Sequence, residues 1–244
     1  MNDENQVPAD RADDAPPVRS IDEPLLVEDV LLLLYQPSSG AIAGENYLYY
    51  VLGGAVVADL TLRGLTEVQE AGRLVRRVAA RGDAPHDDIL RPAWDYLATK
   101  PRGVQTVIAA IGPELRSKVL GKLVDDGHLR RERKKVLGFI PSESFELGST
   151  RRAELLARVR ATLVDGTEPD ARTAALTALL SASANLHQFD PEIPWTSSVI
   201  HRAKELENGN WGAAAVGAAV TRATVAAISG ALSASTAANA AGNS

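Results

Sequence analysis

Residues Asn46 to Thr61 read NYLYYVLGGAVVADLT, and this stretch constrains the fold more than any other. Its apolar residues are not confined to one stripe, so as a helix it has almost no polar face. A helix that is apolar all round has to lie inside protein or lipid. Its uncharged part, Tyr47 to Ala58, is closed by Asp59 and falls short of the ~20 apolar residues needed to cross a bilayer. It is therefore expected at the centre of a domain, with the other elements wrapped around it.

Upstream, LLVEDVLLLLY (Leu25 to Tyr35) suits a short buried helix followed by a strand, and QPSSG at Gln36 to Gly40 suits a turn. Arg63-Gly64 closes the central helix, and the following LTEVQEAGRLVRRVAARG alternates as a hairpin does. Helices are expected over Asp87–Lys100 and Gly103–Ala110. Another should open at Pro113, whose missing N–H costs nothing in a first turn, and run to about Asp126 before Gly127. A second hairpin, Leu129 to Pro141, is followed by helical patterns at Arg151–Val164, Ala171–His187, Ser198–Leu206 and Gly212–Leu232. The implied fold is mainly α: a single compact helical domain over residues 23–233 with two small β-hairpins. The acidic, proline-bearing segment 1–22 is expected to be disordered, and 234–244 to form a flexible tail.

Motifs that carry catalysis are missing from the sequence. There is no cysteine, which excludes disulfides and thiolate metal sites. His86, His128, His187 and His201 stand singly, with no His-x-x-x-His pair, no Walker loop and no Gly-x-Ser-x-Gly elbow. Gly53-Gly54 falls inside the apolar helix, whereas a phosphate-binding loop follows a strand and opens a helix, so close helix packing explains it better. The expectation is no enzyme, no cofactor and no metal. The acidic N-terminus is unlike a secretory signal, which points to a cytoplasmic protein.

The net charge of -5 hides an asymmetry. Residues 1–24 hold seven acidic and two basic side chains, while 115–160 hold twelve basic and six acidic ones, a local balance of +6. Within that stretch Arg130, Arg131, Arg133, Lys134 and Lys135 are interrupted only by Glu132, and the apolar residues Val136, Leu137, Phe139 and Ile140 come directly after. Cations beside bulky apolar groups match a bilayer interface, where headgroups meet the charges and the acyl boundary takes the apolar tip. Three readings stay open: a peripheral binder of anionic lipid, a winged-helix-like protein whose basic wing touches nucleic-acid phosphates, and a soluble scaffold for another protein. The acidic whole chain, and the few base-reading side chains between Leu115 and Val124, weigh against nucleic acid.

LLVEDVLLLLY, the PSSG turn and YVLGGAVVADLTLRGLTEV together resemble the opening of the Golgi phosphoprotein 3 family. LRSKVLGKLVDDGHL followed by RRERKKVLGFIP resembles that family's basic helix, turn and hydrophobic hairpin, and the likeness runs from about Pro24 to Leu232. The resemblance implies a helical, non-catalytic membrane adaptor with a pocket for the headgroup of phosphatidylinositol 4-phosphate. It also implies a hairpin that inserts into the bilayer or aids homo-oligomerisation, and leaves room for a protein partner. Arg116 matches a pocket arginine, but the second arginine of that helix falls on Pro113. The arginine of the apolar helix falls on Gly53, and the pocket tryptophan on or near Gly44. Lys118 and Lys122 are the candidate substitutes, so the expected headgroup set is Arg116, Lys118, Lys122 and the cations from Arg130 to Lys135.

Overall fold

A computed structural model describes residues 23–70, 76–136, 140–209 and 218–241. In chain order come α1 (Leu26–Leu34), a strand pair β1 (Tyr35–Gln36) and β2 (Ala41–Ile42), a 3-10 turn (Glu45–Tyr47) and α2 (Leu48–Leu62). A hairpin of β3 (Thr66–Glu70) and β4 (Arg76–Ala80) leads to α3 (Arg91–Ala98) and the long α4 (Val104–Asp125). A second hairpin, β5 (Leu129–Val136) and β6 (Ile140–Leu147), precedes α5 (Arg151–Leu163), α6 (Ala171–Ala182), α7 (Ser197–Glu207) and α8 (Ala218–Ala241). All three strand pairs are antiparallel, and the smallest closes the QPSSG turn. The mainly-α domain with small hairpins is the fold that the sequence implies.

Helix α2 sits at the centre, packed against α1, α4, α6 and α8. Val51 through Leu60 are all buried, Asp59 included. The paired glycines are what let two neighbours come close. A Cβ on Gly53 would lie 3.1 Å from the Ile108 side chain of α4, and one on Gly54 would lie 2.5 Å from Thr224 of α8. A glycine inside a helix costs about 1 kcal/mol relative to alanine, a cost offset here by packing on two sides.

Helix α4 departs from the expected two helices by running straight through Pro113. Proline removes one backbone hydrogen bond and crowds the Cβ of the residue before it. That residue is Gly112, which has no Cβ to crowd. Gly112 also abuts the Tyr49 carbonyl of α2, so one glycine serves both the helix and its packing. Two smaller differences concern ends. Asp87 caps the amides of Ile89 and Leu90, so α3 begins at Arg91. The α6 segment stops at Ala182, beyond which Ala184 takes φ +55 and a 3-10 turn, Leu186–Phe189, follows.

Candidate functional site

The basic hairpin leaves α4 through Gly127, which holds φ +74. Its base is fixed to the domain. Leu129 is fully buried, the Tyr35 hydroxyl donates to the Phe145 carbonyl, and Phe145 and Leu147 pack against the core. From Leu129↔Leu147 the ladder runs to Val136↔Ile140, roughly 23 Å along the strand. The register sets Arg130 opposite Glu146 and Arg133 opposite Glu143, pairs of opposite charge. Arg131, Lys134 and Lys135 stand opposite Phe145, Ser142 and Pro141 in the register. The strand is thus basic along its length and ends on an apolar pair. Leu137 and Phe139 lie outside the described residues.

The three cations of α4 are not brought together. Arg116 and Lys118 are two residues apart, about 200° around a helix, so they leave on nearly opposite sides. Arg116 pairs with Glu45 of the 3-10 turn, and Lys118 pairs with Glu114 at 2.8 Å. Lys122 bonds Asp126 at 3.1 Å and lies 3.9 Å from Glu28. No single headgroup could engage all three without breaking these pairs.

At Gly53 helix α2 packs directly on α4, Gly44 abuts the Tyr47 ring, and Pro113 is exposed on α4. A side chain at 53 would meet the Ile108 backbone at 3.3 Å, and one at 44 would meet the Tyr47 ring at 2.5 Å. The rings of Tyr49 and Tyr50, centroids 4.1 Å apart and tilted by 33°, stand at this end of α2. The hydrogen bond to Tyr50 pushes the Tyr49 hydroxyl up to about 12.

Sequence reading missed a cluster of buried charges at the other end of α1 and α2. Asp29 accepts from Arg151 of α5 and from Arg172 of α6, and Glu28 accepts from Arg151 at 3.1 Å. Asp59 accepts from Arg63 at 3.0 Å and lies 3.8 Å from Arg172. Burial pushes the Glu28 and Asp59 carboxyls up, and the arginines pull against it. Burial opposes the charge on Arg172, yet Asp29 and Asp59 outweigh it and hold that guanidinium above its usual value. Two acids inside the apolar run LLVEDVLLLL were the available signal, since charges there have to find partners once buried.

Among the described residues no helix is long and apolar enough to cross a membrane, and no group of three or more His, Asp or Glu could hold a metal ion. What remains is a helical domain of buried charge clamps carrying one long basic hairpin. The Golgi phosphoprotein 3 (GPP34) family model matches residues 26–223, and the chain belongs to that family. A search of curated proteins finds no significant match.

Proposed function

We propose that this family member is a non-catalytic adaptor that docks reversibly on anionic membrane lipid through the β5–β6 hairpin. The carrying observation is the register of that hairpin, which carries the basic strand from Arg130 to Lys135 out to the apolar pair Val136↔Ile140. A basic residue near an anionic leaflet contributes about 1 kcal/mol, and a large apolar side chain entering the acyl boundary roughly 1.5–3 kcal/mol. Five cations with two to four of Val136, Leu137, Phe139 and Ile140 therefore give useful, reversible affinity after ordering costs.

Arg116 is the residue left to recognise a phosphoinositide headgroup, and it has to give up Glu45 to do so. Attraction by the hairpin's charge density is accordingly the main source of affinity, and preference for phosphatidylinositol 4-phosphate over other anionic lipid is small. Co-sedimentation with vesicles tests this. Vesicles of neutral lipid should leave the protein in solution, and phosphatidylserine vesicles should pellet it. Phosphatidylinositol 4-phosphate at matched surface charge should add no more than a few-fold. Equal pelleting on neutral and anionic vesicles would refute the reading, and salt-sensitive retention on DNA without vesicle binding would replace it with the nucleic-acid one.

A further inference from the structure

At the end of α1 and α2 remote from Gly44 and Gly53, a cavity of about 810 Å³ opens between the first turn of α1, the ends of α2 and α4, and the 83–87 segment leading into α3. That volume is in the range of small-molecule sites. Its floor is charged but internally satisfied. Glu28 is held by Arg151 and the Leu25 amide, Arg63 by Asp59 and the Glu23 carbonyl, and Lys122 by Asp126. The cations that line it are therefore already engaged.

What the cavity still offers a ligand is of two kinds. One is apolar wall, from Pro24, Leu65, Ala84 and Pro85. The other is uncommitted carboxylate oxygen at the mouth. Asp83 is exposed and makes no hydrogen bond or ion pair with the described residues. Asp87 uses Oδ1 for the amides that it caps, and Asp126 uses Oδ2 for Lys122, so each has its second oxygen to give. Five carboxylates line the cavity against three cations, a formal balance of -2. An anion would meet this rim as a like charge. A bare metal ion would gain nothing from the aliphatic walls.

We infer that the cavity binds an aliphatic diamine or polyamine, its methylene chain against Pro24, Leu65 and Pro85 and its ammonium groups at Asp83, Asp87 and Asp126. Both features of the site are then used, because such a ligand carries separated positive charges on an apolar chain. Lys122 keeps its own bond to Asp126 throughout, since the ligand takes the other oxygen. Neither the hairpin nor its membrane contact enters this inference.

Calorimetric titration of the full chain tests it, with spermidine and 1,4-diaminobutane as probes and hexane-1,6-diol as the uncharged control. Both amines should saturate a single site, and the diol should not bind. The Asp83→Asn, Asp126→Asn variant should weaken amine binding tenfold or more. Ala84→Trp, which puts bulk into the half-buried wall, should abolish binding while the urea midpoint stays in place. Arg130→Ala, Arg131→Ala should leave it unchanged. Failure to saturate, equal binding by the diol, or binding untouched by loss of Asp83 and Asp126 would overturn the proposal, the last by reducing the amine to a counter-ion. A basic peptide that binds where the amines do not would overturn it too, in favour of a protein partner.

Discussion

Asp59, near the end of the apolar helix α2, caps helix α1: its Oδ2 accepts a hydrogen bond from the Leu26 amide at 2.8 Å, 33 residues away in sequence. The carboxylate that ends the apolar run thus supplies what the first turn of the neighbouring helix lacks. Its other oxygen holds Arg63, and Arg172 stands behind it. Asp59→Ala would remove a cap and one acidic partner each from Arg63 and Arg172, which keep the Glu23 carbonyl and Asp29. Unfolding in urea should show a loss of about 3–5 kcal/mol, with Asp59→Asn losing less because its amide oxygen can still accept.

Glu28 gives a pH dependence with a definite sign. Burial raises its folded pKa above the ordinary carboxylate value, with Arg151 opposing. The stability contributed by its protonation is fully present below the unfolded pKa and is lost as pH rises through the folded one. Urea midpoints measured from mildly acid to neutral pH should therefore decline more steeply in the wild type than in Glu28→Gln.

Restoring the family's arginine on the apolar helix should fail. A Cβ at position 53 already crowds Ile108, and a guanidinium has no room between α2 and α4. Gly53→Arg should destabilise the protein by about 1–3 kcal/mol or more, as overpacked cores do, without gain in binding to phosphatidylinositol 4-phosphate vesicles.

Pro113 should respond in the opposite direction. It is exposed, lies inside α4 and withholds one helical hydrogen bond. Pro113→Ala should raise unfolding stability by about 1–3 kcal/mol, whereas Gly112→Ala should lower it because its Cβ would lie 2.6 Å from the Tyr49 carbonyl.

These residues also mark where the sequence was legible. Helix α2 could be placed at the core because its apolar residues face every direction, and Gly53-Gly54 could be read as close packing. The second hairpin could be placed from Leu129 onward, although it extends to Leu147 rather than Pro141. The unbroken α4 could not be read. Pro113 looks like a first-turn proline unless the missing Cβ of Gly112 is weighed together with its contact on α2. The clamp of Arg151 and Arg172 on Asp29 was hidden for another reason: the partners are 122 and 143 residues apart, and no local pattern encodes them. Arg116, Lys118 and Lys122 were each seen as cations, but their separate acidic partners depend on tertiary placement.

The exposed start of β5 carries Arg130 and Arg131. Arg130→Ala, Arg131→Ala removes two cations worth about 1 kcal/mol each near an anionic leaflet, so partitioning onto phosphatidylserine vesicles should fall roughly 30-fold at low salt. Raising the ionic strength should narrow the gap between wild type and variant.

Insertion of the hairpin tip is tested by co-sedimenting wild type and a Phe139→Asp, Ile140→Asp variant with phosphatidylserine vesicles, after matching their urea midpoints. Losing two large apolar side chains from the acyl boundary, at roughly 1.5–3 kcal/mol each, should weaken vesicle binding by about a hundredfold or more. The variant should stay in the supernatant where the wild type pellets. If both pellet alike, or neither does, the hairpin is not what holds this protein to a membrane.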